Sequence, residues 1–345
     1  MRVLESPSAF VFVRRAMLAL LVLGSVGAAA ARAEGTFVSA PSRVDVAYDD
    51  ARDLLYISNA TQVLRYQVST NTFLAPVTLG GSLAGMDISP DSSTLAVADF
   101  TYDDQHNWVH LVNLDTLADN KVDFDLAFDE GGTYTVAYGK DGKLLITSQF
   151  EGSGGVPLRR YDPVAGTTTT VGDVDQNTML RTSANGKVIA IAEPNNSGGP
   201  YGNYDVKNQT LDLDHGTGWF TYEIGVDRKA KIYAIPTYFG TFIADRDLAL
   251  TGTVIGEYAG EQPIAAAFHP KKSLVYFPFA GTNFVKVYNT KTWTEVDEFD
   301  FENEFSTTGN WAFTNGRAKT SKNGSLLFVT VDGGVRYVRT KHHHH

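Results

Sequence analysis

The chain has 345 residues, 43% of them hydrophobic and 20% charged, with no cysteine. That much core-forming material excludes intrinsic disorder, and the missing thiols exclude disulfide stapling and a cysteine-linked lipid anchor. The formal net charge of −10 argues against a nucleic-acid partner, whose binding rests on cationic contacts to phosphate.

Residues 1–33 read as a secretory signal peptide. Arg14 and Arg15 precede the apolar run Ala16–Ala31, and Ala31-Arg32-Ala33 supplies a small-x-small cleavage site that leaves Glu34 at the mature N-terminus. The run has 16 residues and is rich in Ala and Gly, whereas a spanning helix needs roughly 20, which argues against a membrane anchor. The arginine pair also suits a twin-arginine signal, and its flanks do not choose between the two export routes. Either route implies a periplasmic or secreted protein with no membrane span in the mature chain. Removal of the signal leaves 25 basic and 38 acidic residues, a balance of −13. At the far end, His342–His345 resembles a truncated purification tag, so the folded domain is expected over residues 34–341.

Internal repetition decides the architecture. A turn followed by an apolar run recurs seven times: DDARDLLYIS (49–58), SPDSSTLAVA (89–98), GKDGKLLITS (139–148), SANGKVIAIA (183–192), VDRKAKIYAI (226–235), HPKKSLVYFP (269–278) and SKNGSLLFVT (321–330). From Leu54 through Leu95, Leu144, Val188, Ile232 and Leu274 to Leu326 the steps are 41, 49, 44, 44, 42 and 52 residues. This is the period of a four-stranded propeller blade and is too long for ankyrin or TPR units. The runs are β-branched and aromatic, and Asn-Gly, Asp-Gly and Pro-Asp turns punctuate them, so antiparallel strands joined by tight turns are expected and almost no helix. The fold class is therefore all-β, a seven-bladed β-propeller of four-stranded antiparallel blades.

In blade two the innermost strand ends over Met86–Ser89, followed by Thr94–Asp99, Trp108–Leu114 and, outermost, Lys121–Leu126. Third strands elsewhere include Val63–Val68, Leu158–Asp162 and Phe284–Asn289. Blade seven has Leu326–Val331 and Val335–Arg339, after which the chain ends with no fourth strand. The missing strand is expected to be Thr36–Ala40, so that the N-terminal segment closes the ring.

The stretch Leu55-Tyr56-Ile57-Ser58-Asn59, with Val63-Leu64-Arg65-Tyr66, Ser69-Thr70-Asn71-Thr72 and Ser89-Pro90-Asp91, resembles the YVTN-type repeat of seven-bladed propellers. Blade six is similar, through Leu274-Val275-Tyr276 and Val287-Tyr288-Asn289-Thr290-Lys291-Thr292. The resemblance extends over roughly 36–340, although blades four and five depart from it at Ala190-Ile191-Ala192-Glu193 and Ala234-Ile235-Pro236-Thr237. It implies a propeller but leaves the activity open, since similar proteins include surface-layer proteins, binding scaffolds, lactonase-like hydrolases and the cofactor-free large subunit of amine dehydrogenases.

Second-to-third-strand loops and blade-to-blade connections share one face of a propeller. Asn59, Asp99, Gln149, Glu193, Thr237, Phe279 and Val331 end the second strands there, and Asp129, Glu130, Asp173, Asp175, Glu261, Glu302 and Glu304 lie in the connections, so an acidic face is expected. Long loops at Phe100–Asn107, Pro194–Asn203 and Glu302–Phe313 would carry recognition. Tyr102, His106, Trp108, Tyr201, Trp219, Tyr238 and Trp311 would supply aromatic contact surface, unless Trp108, Trp219 and Trp311 pack between blades.

No motif calls for a cofactor. Asp99 and Glu193 are the best-placed pair for Ca²⁺ or Mg²⁺, which take oxygen ligands; the alternative is a solvated acidic rim. Asp173-Val174-Asp175-Gln176-Asn177 opens like a calcium loop, but Thr178 stands where its glycine belongs. His106 or His215 beside these carboxylates would act as acid or base in a lyase or lactonase, and no nucleophile elbow, zinc-protease or phosphate-loop motif is present. Arg181, Arg317 and Lys319 fall on first strands, where they would line the channel and hold an anionic ligand or balance carboxylates. The sequence thus points to a secreted or periplasmic, non-enzymatic monomeric propeller that binds a protein partner, polymer or small ligand through its acidic loop face. The competing reading is a metal-dependent lyase or lactone hydrolase at the channel mouth.

Overall fold

The computed structural model describes residues 34–256, 261–305, 313 and 315–340; the expected signal segment, Trp311 and the histidine tail lie outside the described residues. Among the described residues the strands form seven four-stranded sheets, and none of these residues is α-helical. The chain is a seven-bladed β-propeller. Blade two runs from channel to rim through Leu83–Ile88, Thr94–Tyr102, His106–Asn113 and Asp119–Asp125, the four strands anticipated.

Second strands are buried on both faces, as in Leu54–Asn59 and Leu326–Val331. Period-two alternation explains why. Leu55 and Ile57 pack with Phe328 and Val335 of blade seven, while Leu54 and Tyr56 pack with Leu83, Leu95 and Val97 of blade two. Equivalent clusters lie at the other five junctions between neighbouring blades. One strand therefore belongs to two cores, which is why its residues read as a continuous apolar run.

Thr36–Ser39 pairs antiparallel with Gly334–Arg339, from Thr36 opposite Tyr337 to Ser39 opposite Gly334. Val38 is buried in the cluster that joins blades seven and one, so the ring closes by the strand that the sequence assigned. The segment 100–107 differs from the expected long loop. It extends the hairpin, with Tyr102 opposite Asn107, because Asp103 Oδ1 accepts the N–H groups of Gln105 and His106 at 2.8 and 2.7 Å and turns the chain there.

Candidate functional site

On the loop side, Asp99 is fully engaged in holding its own blade. Its Oδ1 accepts Ser82 N–H at 2.8 Å, Thr101 N–H at 2.9 Å and the Thr101 hydroxyl at 2.7 Å. Its Oδ2 accepts Trp108 Nε1–H at 2.9 Å and faces His110 Nε2 at 3.3 Å. Burial alone would raise this carboxyl, but the bonds from His110, Ser82, Thr101 and Trp108 together hold it well below the usual range. Trp108 and His110, two residues apart on one strand, reach the same carboxylate because alternate side chains share a face. The other ring nitrogen of His110, Nδ1, lies 2.7 Å from Asp119 Oδ2.

Glu193 is also buried, and its Oε1 accepts the Asp175 N–H at 3.0 Å. Burial raises its carboxyl, with Asp175 adding to the effect through its charge and the Asp175 N–H opposing it. Asp99 and Glu193 share no hydrogen-bond partner, and no cluster of three or more His, Asp or Glu able to hold a metal ion occurs among the described residues.

The histidines expected beside these carboxylates lie elsewhere. His106 is within 3.5 Å of Asp103 and Asp125, and His215 Nε2 is 2.9 Å from Asp212. The imidazole on Asp99 belongs to His110, which sequence reasoning passed over as a strand residue. Two further expectations are corrected by burial. Tyr201 is in the core between blades four and five, its hydroxyl donating to Leu248 O at 2.7 Å. Glu130 is no rim carboxylate but is buried against the Arg159 guanidinium, Nη2 to Oε2 at 2.6 Å. Asn59 and Gln149 are half-buried at the ends of their strands.

Tyr102 and Tyr238 are exposed as expected, at 41% and 44%, and Trp219 and Phe220 join them at 45% and 41%. Tyr102 donates its hydroxyl to Glu151. Trp219 and Tyr238 meet at Phe239, with ring centroids 4.0 and 5.3 Å from it. The Thr217 hydroxyl fixes that corner by accepting Trp219 N–H at 3.1 Å and donating to Trp219 O at 2.7 Å. Asp212, Asp214 and Glu261 are exposed on the adjoining strand and connections.

Inside the channel the first strands bring charges together. Arg317 Nε donates to Asp45 Oδ1 at 2.7 Å and its Nη1 to Glu223 Oε2 at 3.2 Å. Arg181 Nη2 reaches Glu223 Oε1 at 2.8 Å, and Lys319 Nζ reaches Asp45 Oδ2 and Met86 O, both at 3.2 Å. Burial would raise Asp45, yet Arg317, Lys319 and the N–H groups of Met86 and Val46 hold it far below the normal range. Lys319 is lowered by burial and further by Arg317 and Arg181, against the pull of Asp45 and Asp87. Arg317 and Lys319 thus serve mainly to balance carboxylates. The acids themselves, Asp45 and Glu223, were missed; a charged residue inside an otherwise apolar first strand, as in RVDVAYD over Arg43–Asp49, was the available signal for Asp45.

A cavity of about 430 Å³ occupies this channel. Its lining includes Arg181, Arg317, Lys319 and Asp87, and at its outer end Pro90, Lys140, Asn185, Pro270 and Lys322. Those outer residues sit in first-to-second-strand turns, so the cavity opens on the side opposite the loops.

No family model and no curated sequence matches this chain. Solved structures are similar in fold. A chain of Kuenenia stuttgartiensis hydrazine synthase matches with a TM-score of 0.66 and 12% identity over 88% of this chain and 97% of its own. The Myceliophteria thermophila Cps50 (Swd1) β-propeller domain matches at 0.62 and 10%, over 89% and 99%. A chain of the Mitotic Checkpoint Complex matches at 0.66 and 11%, over 99% of both. At such identities the likeness shows the fold alone, and a set that includes a synthase and a checkpoint complex does not select a chemistry.

Proposed function

We propose that this chain is a non-enzymatic binding propeller that docks a protein partner on its loop side. The observation that carries the reading is the corner of Trp219, Phe220 and Tyr238, three large aromatic side chains each more than 40% exposed and held in place by Thr217 and Phe239. Rigid exposed aromatics are the side chains that dominate binding energy at protein interfaces. The carboxylates of Asp212, Asp214 and Glu261 nearby favour a partner segment that carries Lys or Arg around an apolar anchor. The fold that this chain shares with a named propeller domain and with a chain of a protein complex is compatible with that role. A periplasmic or secreted location, drawn from residues 1–33, and membership of the YVTN-type repeat family are parts of the same proposal. No helix among the described residues is long and apolar enough to cross a membrane.

Selection of a random peptide library against immobilised protein tests this. Peptides with basic residues beside an aromatic or aliphatic anchor should be enriched, and they should lose at least about tenfold in affinity against the Trp219→Ser, Tyr238→Ser double variant. Peptides that bind this variant as well as the original, or that show no basic bias, would refute the docking site.

A further inference from the structure

The channel cavity carries a second site of different chemistry. Arg181, Arg317 and Lys319 border its inner part, and two of the three carboxylates around them, Asp45 and Glu223, are already ion-paired. The third, Asp87, forms no ion pair; its oxygens accept the backbone N–H groups of Ile88 and Tyr138 at 2.9 and 2.8 Å. Burial, with the Asp45 charge, raises the Asp87 carboxyl against the pull of Lys319 and of the Tyr138 and Ile88 N–H groups. Asp45 and Glu223 take up only part of the donor capacity of Arg181, Arg317 and Lys319.

The unused donors lie where a ligand would meet them. Among the described residues Arg181 makes one side-chain bond, Nη2 to Glu223, and Lys319 makes two. Of five guanidinium and three ammonium N–H groups, several therefore remain for a molecule in the cavity that both residues line. The Arg181 and Lys319 side chains keep 16% and 19% of their surface accessible, against 6% for Arg317. The remaining lining mixes apolar side chains, among them Met86, Ile88, Leu180 and Phe268, with the polar Thr182, Ser183, Thr320 and Ser321. Lys140 and Lys322 stand in the turns at the mouth and would draw anions inward.

We infer that this cavity binds a small monocarboxylate with a short apolar body, its carboxylate on Arg181 and Lys319 and its hydrocarbon against the apolar part of the lining, Met86, Leu180 and Phe268. A planar guanidinium matches a carboxylate in shape and can bond both oxygens. A phosphate dianion would bring a second negative charge toward the Asp45 and Glu223 carboxylates and set a more strongly hydrated group against Met86, Leu180 and Phe268. The volume lies within the range of small-molecule pockets. Nothing in this site is shared with the aromatic corner of the loop side, so the two readings stand or fall separately.

Calorimetric titration of hexanoate, hexanamide and inorganic phosphate into the protein is the test. Hexanoate should bind at concentrations up to about 10 mM, and the neutral amide of the same shape at least about tenfold more weakly. Arg181→Gln should weaken hexanoate by at least about tenfold, and Arg181→Lys, which keeps the charge but not the fork, should fall between. Equal binding of acid and amide, unchanged affinity in Arg181→Gln, no hexanoate binding, or tighter phosphate than hexanoate would each overturn the assignment. If Arg181→Gln does not fold, the comparison of acid with amide on the unaltered protein decides alone.

Discussion

Replacing Arg317 with Met tests whether the channel charges are a coupled structural network. The substitution keeps much of the apolar stem but removes Nε from Asp45 and Nη1 from Glu223, contacts of 2.7 and 3.2 Å. Asp45 is 0% exposed and Arg317 6%, so solvent cannot replace what is lost. Taking one partner from a buried ion pair leaves the other charge uncompensated at a cost of about 3–5 kcal/mol. Lys319 still contacts Asp45 and Arg181 still contacts Glu223, so we expect the lower half, about 3 kcal/mol.

Urea unfolding followed by tryptophan fluorescence and far-ultraviolet circular dichroism measures the loss, and coincidence of the two probes licenses a single free energy. The pH dependence separates charge from packing. The Asp45 carboxyl is lower in the folded state than its ordinary 3.8, so it contributes stability that is present above that value and lost as pH falls below it. Part of that contribution is absent in Arg317→Met, so the gap between the two proteins should narrow as pH drops below about 4. A loss under about 1 kcal/mol, or a gap that stays constant through the acid range, would refute the network.

Two further expectations concern closure and the blade-two histidine. Deleting residues 34–42 exposes the edge of Gly334–Arg339 and removes Val38 from its cluster; Val38 alone is worth about 2 kcal/mol, so the melting temperature should fall by about 4 °C or more, and an unchanged melting curve would reject the closure. In His110→Gln the loss should be about 1–3 kcal/mol in mildly acidic solution. Burial lowers the His110 pKa, but Asp99 and Asp119 together raise it above the ordinary 6.5. The histidine's contribution is therefore full below that value and disappears as pH rises through the folded pKa. A gap that widens toward alkaline pH would contradict the Asp99–His110–Asp119 arrangement.

The blades were legible because each is announced locally. Leu54 to Ile57 follows a turn and is flanked by more turns, and that unit returns at the spacing one blade requires, so the strand order and even the closing strand could be read without tertiary information. In the channel the cations Arg181, Arg317 and Lys319 were legible from their place on first strands, but their acidic partners were not, for the converse reason. Arg317 meets Asp45 and Glu223 at separations of 272 and 94 residues, and no local pattern marks residues that the ring alone brings together. Burial was misjudged in the same way at Tyr201 and Glu130. Both look like rim residues in their own segment, and both are drawn inward by a neighbour, Leu248 O for one and Arg159 for the other. Trp219 and Tyr238 were legible as surface aromatics, but their meeting at Phe239 brings the connection from blade four to blade five against the turn between Thr237 and Gly240.

Ring geometry explains why the two proposed sites face opposite ways. In a propeller the neighbouring blades supply nearly all packing, as the clusters between adjacent sheets show. Arg317 is an exception, since it belongs to blade seven yet reaches Glu223 of blade five as well as Asp45 of blade one. Arg43, at the loop-side end of its strand, donates to Val331 O at 2.9 and 3.1 Å and to Phe313 O at 3.0 Å. The cavity borders Arg317 but not Arg43. A ligand on Arg181 and Lys319 would enter past the turns that hold Lys140 and Lys322, while a protein partner on Trp219 and Tyr238 would meet the connection from blade four to blade five and a hairpin turn of blade five.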